Sequence, residues 1–242
     1  MDRTSWNHHL SVYMSDDFFH TTEELIKHGN RFALTKYYLF IATATDLATQ
    51  EVSLYVSSTF SKNYHFVKAT LPFSLLREHS YTILDTLQHQ VFLHVTHSLA
   101  DISYGHIYIS NSIGNHFTLS QKYNIKNDKN FCDFERIKGM EGIYMINRYE
   151  KKSLDRGRIE LSRKSDTSMD NYRISSKLDN LLKKKSLITF NKGSSWGLIK
   201  PPLFDIDKSE IDCKPPCSLH LHSLSSPFAG PILSAESAPG VI

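Results

Sequence analysis

Long apolar runs are missing from these 242 residues. No stretch approaches the roughly 18 apolar residues that cross a bilayer as a helix. The opening, Met1-Asp2-Arg3-Thr4-Ser5-Trp6, has no basic region followed by an apolar run of the secretory kind. Cysteine is scarce, and three residues are too few to diagnose a redox compartment. No Asn-x-Ser/Thr sequon occurs, so nothing marks the chain as glycosylated. A surplus of one charge sign is also missing. A formal net charge of +3 argues against the concentrated basic face of a nucleic-acid-binding domain.

The composition, 40% hydrophobic and 22% charged, is enough to bury a core. Its apolar runs are short, rich in Val, Ile, Tyr and Phe, and separated by turn residues, which is the texture of strands. Helix candidates are few: Thr22 to Lys27, which is very short, and the charged stretch Ile174 to Lys185. The strands repeat in fours. One unit reads Arg31–Leu34, Tyr38–Thr43, Ser53–Ser57 and Phe66–Ala69. The next reads Tyr81–Leu84, Val91–Val95, His106–Ser110 and Phe117–Leu119. A third reads Phe134–Ile137, Gly142–Ile146, Ser186–Phe190 and Trp196–Ile199. Four strands in about 50 residues is the period of a propeller blade.

A third strand is marked by apolar-Tyr-apolar-Ser/Thr in Val12-Tyr13-Met14-Ser15, Leu54-Tyr55-Val56-Ser57 and Ile107-Tyr108-Ile109-Ser110, and in weaker form by Leu187-Ile188-Thr189. Two of these strands run into turns of one spacing, Ser110-x-Ser112-x-Gly114-x-x-Phe117 and Thr189-x-Asn191-x-Gly193-x-x-Trp196. Both resemble the Asp-box hairpin of many propellers. A short polar side chain accepts N–H groups of its own turn, Gly supplies positive φ, and the aromatic returns the chain to the core. In these boxes Ser112 and Asn191 stand where Asp is usual.

The fold expected is all-β: an incomplete β-propeller of about three to four four-stranded blades over 1–242. A charged, solvated insertion at 148–185 interrupts the third blade. Three and a fraction blades cannot close a ring. The reading is therefore of a piece of a longer propeller whose open edges promote self-association.

Several segments together resemble the sortilin family of sorting receptors. They are Cys213-Lys214-Pro215-Pro216-Cys217-Ser218-Leu219-His220-Leu221-His222, Ile188-Thr189-Phe190-Asn191-Lys192-Gly193 with Trp196, Val91–Val95, Gly142-Ile143-Tyr144, Ser15-Asp16-Asp17-Phe18-Phe19, and Pro231–Gly240. The last looks most like the sortilin-related branch, with the SorCS receptors close behind. The resemblance implies a ten-bladed luminal propeller in a membrane-anchored receptor of Golgi, endosome and cell surface. It implies peptide or protein ligands such as propeptides and neuropeptides; no nucleic acid, cofactor or metal is expected.

In that family a peptide carboxy-terminus is held by an Arg, an inner-strand backbone and a Tyr. The corresponding positions are the strand Phe40-Ile41-Ala42, with Ile41 and Ala42 as candidate ligand contacts, and Tyr81. The Arg position falls on Val52, so the charged clamp is absent there. The other reading of Tyr81, and the favoured one, is ordinary core packing with its hydroxyl satisfied. Cys213 and Cys217 correspond to the family's loop disulfide; zinc with His220 and His222, or free thiols, are the other readings. Two other functions stay open: an intracellular scaffold propeller, and a sialidase-like hydrolase. The second needs paired carboxylates or an activated Tyr with an Arg cluster, and Arg156, Arg158, Arg163 and Arg173 lie in the insertion instead.

Overall fold

The computed structural model describes residues 10–46, 48–59, 64–87, 89–97, 103–127, 129, 131–155, 182–212 and 217–219, with Asn30 described by its backbone alone. The chain divides into two compact units. Strands β9 (Tyr104–Ser110) and β10 (Phe117–Ile125) each give one segment to either unit. All strand pairs of known register are antiparallel.

The first unit comprises Met1–Thr96 and Ile107–Leu119. It opens with β1 (Val12–Met14) paired to β2 (Glu23–Ile26). The stretch Thr22 to Lys27, a short helix candidate by composition, is thus a strand. A segment this short gains too few helical hydrogen bonds to offset nucleation; pairing Tyr13 with Glu24 supplies an alternative. The first complete blade follows as β3 (Gly29–Leu34), β4 (Tyr38–Asp46), β5 (Glu51–Ser58) and β6 (Val67–Lys68), in that spatial order. The second begins with β7 (Tyr81–Leu87) and β8 (Gln90–Val95), and continues through β9 and β10.

β8 is buried along its whole length and β4 from Tyr38 to Thr43, which explains their continuous apolar runs. Alternate residues on each strand meet in one core: Tyr38 and Phe40, then Val52, Leu54 and Val56, then Val91, Leu93 and Val95, with Tyr108 and Phe117. The spacing of two is that of side chains sharing one face of a strand. Each fully buried side chain of this size contributes about 1.5–3 kcal/mol.

The second unit comprises His97–His106 and Ser120–Ile242. Its blade is β11 (Phe134–Arg136), β12 (Tyr144–Tyr149), β13 (Lys184–Thr189) and β14 (Gly197–Leu198). β12 pairs with β11 and β13, and β14 completes the order on β13. β12 and β13 extend into 148–185, pairing Arg148 with Lys185 and Tyr149 with Lys184. A helical turn at 151–155 follows β12. Lys184 and Lys185, within the second helix candidate, are therefore strand residues; 174–181 lie outside the described residues. A buried polar spine crosses this unit. Asn124 Nδ2 donates to the carbonyls of Asp133 and Asn147, Asn147 Nδ2 donates to Asp133 Oδ2, and Ser186 Oγ donates to Asn147 Oδ1.

No sheet among the described residues closes on itself. The architecture is that of an incomplete β-propeller, nearly all-β.

Candidate functional site

β4 carries the Phe40-Ile41-Ala42 segment, and all three side chains are buried. The strand lies inside its sheet: Ile41 pairs with Phe32 on one side and Tyr55 on the other, Ala42 with Arg31 and Leu54. Its backbone polar groups are therefore committed to two ladders. β3 stands at one end of the sheet order and, among the described residues, pairs in that sheet with β4 alone. Val52 is buried opposite Ala44 and its N–H donates to Leu76 O.

That bond begins a seam that brings charge to this place. Glu51 bridges to Arg77, and Glu78 N–H donates to Gln50 O at 3.1 Å. Ser80 Oγ accepts from Arg77 N–H and donates to Arg77 O, locking the turn. The turn presents Glu78, whose side chain is 9% exposed, to Arg31 on β3, with Arg31 Nε 3.8 Å from Glu78 Oε1. His79 Nε2 stands 3.5 Å from the other carboxylate oxygen. Tyr81, half-buried against the core, shares this field. Burial raises its phenol pKa first; Arg31 acts to lower it and Glu78 to raise it. So a half-exposed guanidinium, a buried carboxylate and a phenol converge beside Ala42. Arg31 and Glu78 were not among the candidates in the sequence, because their meeting depends on the β3–β4 register and on the 77–80 turn.

The strand-3 turns form the second constellation. In 189–196, Thr189 Oγ1 accepts from the N–H groups of Asn191 and Gly193 at 3.3 and 3.0 Å, and Asn191 Oδ1 accepts from Ser195 N–H at 2.9 Å. Gly193 sits at φ 80. Trp196 Nε1 donates to Ser120 Oγ, which donates to Gly193 O, so the aromatic and the turn are tied through one hydroxyl.

In 110–117 the acceptor has moved. Asn111 Oδ1, not Ser112, receives the N–H groups of Gly114, Asn115 and His116 at 3.1–3.2 Å. Ser112 contributes only its carbonyl, to Tyr38 Oη. Ser110 Oγ accepts from Val91 N–H, Gly114 holds φ 86 against the Tyr38 ring, and Phe117 is buried. The asparagine amide outcompetes the serine hydroxyl because its longer arm spans three donors.

A further turn of the first kind follows β1. Ser15 Oγ accepts from Asp17 and Phe19 N–H, and Asp17 accepts from the N–H and hydroxyl of Thr21 at 2.8 and 2.6 Å. Position for position this matches 189–195, with Phe19 at φ 65 in the glycine slot. That Phe hid the turn in the sequence. Hydrogen bonds from Thr21 and Ser15 lower the Asp17 pKa to about 2.

Cys132 is in no disulfide, and burial pushes its thiol pKa up to about 12. Cys213, His220 and His222 lie outside the described residues. Among the described residues no three His, Cys, Asp or Glu side chains gather at metal-binding distance. No helix there is long and apolar enough to cross a membrane.

The whole chain, residues 1–242, matches the family described as Sortilin-Vps10 (sortilin, neurotensin receptor 3). It is similar to the Vacuolar protein sorting/targeting protein 10 of Paracoccidioides brasiliensis strain Pb03, at 31% identity over 252 residues covering 98% of this chain and 15% of the relative. It is similar also to the protein of that name from Talaromyces stipitatus, at 34% identity over 218 residues covering 86% of this chain and 13% of the relative. The chain thus spans 13–15% of the length of these relatives.

Proposed function

Because this chain belongs to the Sortilin-Vps10 family, we propose that it forms part of the cargo-binding propeller of a sorting receptor. The match over all 242 residues carries this reading; the family is one of sorting receptors rather than enzymes. The cargo is polypeptide: propeptides, neuropeptides or other proteins. The parent chain is anchored in the membrane, with this domain on the luminal or extracellular face of Golgi, endosome and plasma membrane. A Cys213–Cys217 disulfide fixes the shape of the loop, a pairing supported by the bonded state of the Cys217 sulfur.

The ligand site we assign runs along the β3 edge beside Ile41 and Ala42 and reaches Tyr81. Val52 offers no charge, and the cation comes instead from Arg31, on β3 opposite Ala42, only loosely engaged by Glu78 at 3.8 Å. A carboxylate arriving there would gain a charge-assisted bond from the guanidinium and a donor in the Tyr81 hydroxyl.

The test is calorimetric titration with pooled decapeptides bearing free or amidated carboxy-termini. The expected outcome is tighter binding of the free-acid pool, and loss of that preference in Arg31→Ala. Equal affinities for both pools would remove the Arg31 assignment. Binding of neither pool, by this chain or by the full-length parent, would remove the receptor reading.

A further inference from the structure

The β1–β2 turn combines two unfavourable features with no compensating contact among the described residues. Phe19 holds φ 65 where the equivalent turn has Gly193, and Phe18 before it holds φ 57. Left-handed backbone is an outlier for a bulky side chain. Burial does not compensate, since Phe18 is 95% and Phe19 73% exposed. Nor is the turn loose: Ser15, Asp17 and Thr21 hold it with hydrogen bonds of 2.6–3.3 Å. Two aromatic rings displayed on a rigid, strained tip have the properties of interface anchors.

The surroundings specify the partner. Between Leu10 and Ile26 there is no Lys or Arg, while Asp16, Asp17, Glu23 and Glu24 flank the two rings. Asp16, Glu23 and Glu24 are exposed, and the Asp17 carboxylate is held ionised down to about pH 2. An anionic bilayer would repel such a tip. A protein surface with an apolar centre and a cationic rim would attract it on approach and bury the rings on contact. We propose that Phe18 and Phe19 form a docking prong for a protein partner presenting an apolar surface rimmed by lysine or arginine.

The experiment places a reporter on the tip of the full chain, Phe18→Trp, read as the emission difference from the unsubstituted chain. The probes are an amphipathic Leu/Lys peptide, a Leu/Glu peptide of equal length, and phosphatidylcholine vesicles with and without phosphatidylserine. The expected result is a blue shift with the Leu/Lys peptide alone, weakening as salt is raised. Affinity should fall about tenfold or more on adding Phe19→Gly, and similarly on adding Asp16→Lys with Glu23→Lys and Glu24→Lys. Phe19→Gly relieves the backbone, so its melting temperature should hold or rise by about 2–4 °C. A response to the Leu/Glu peptide or to either vesicle, or none to the Leu/Lys peptide, overturns the proposal. So does a drop in melting temperature in Phe19→Gly, because it would show that the ring packs within the chain.

Discussion

Asp17 accepts three hydrogen bonds, from the Ser15 hydroxyl and from the N–H and hydroxyl of Thr21. These favour the carboxylate and hold its pKa near 2, below the usual range of about 4. The group is depressed in the fold, so its contribution is present above about pH 4 and is lost as pH falls through about 2. Carboxyl and amide NMR shifts of Asp17, Phe19 and Thr21 should move together in that window. In Asp17→Asn the movement of the Phe19 and Thr21 amides should vanish. The shift of acceptor from Ser112 to Asn111 is a second residue-scale result. Asn111→Ala takes the acceptor from the Asn115 and His116 N–H groups, while Gly114 N–H keeps the Asn111 carbonyl, and should cost about 1–2 kcal/mol in chemical denaturation. Ser112→Ala, which removes a hydroxyl with no part in the turn, should fall within about 0.5 kcal/mol of the parent. Reversal of that order would restore the spacing-based assignment. Cys132, its thiol pushed up to about 12, should react with an aromatic disulfide reagent only as the chain unfolds.

At the scale of elements, three blades were legible from alternation and turn residues because their middle strands, such as Val91–Val95, are buried runs bounded by polar turns. Strand ends were less so. β12 and β13 continue past the apolar segments, carried by backbone pairing of Tyr149 with Lys184 rather than by side-chain pattern. The β1–β2 turn was hidden because a phenylalanine occupies its glycine slot, and the Arg31–Glu78 pair because register is a property of two strands, not of one. Where glycine is kept, it is needed. An added Cβ on Gly114 would meet the Tyr38 ring at 3.0 Å with φ at +86. Gly114→Ala should therefore cost more than the roughly 1–2 kcal/mol of the left-handed backbone alone. Thermal denaturation beside a Gly193→Ala control, also at positive φ, separates the steric part.

For the whole molecule the relevant fact is proportion: the chain spans 13–15% of its relatives. Among the described residues of unit 1 no second strand pairs with the β3 edge, and Phe32 and Leu34 on it are 68% and 65% exposed. Open apolar edges are templates for pairing. Expressed by itself, the chain should form concentration-dependent oligomers in light scattering, and Phe32→Lys with Leu34→Lys should shift it toward monomer. A sharp monomer at all concentrations in the unsubstituted chain would show that the edge is protected.

The closure at the base of 150–183 has one more consequence. Glu150 N–H donates to Lys183 O at 2.8 Å, Lys185 Nζ lies 3.4 Å from a Glu150 oxygen, and Lys183 N–H reaches Ser153 Oγ thirty positions earlier. The two chain ends are thus clamped side by side independently of what joins them. Closure entropy grows only logarithmically, by about 0.6 kcal/mol per doubling of the joining length. This base is therefore a natural port for engineering, where a reporter domain or an affinity tag can be spliced into the chain while the blade beneath keeps its register.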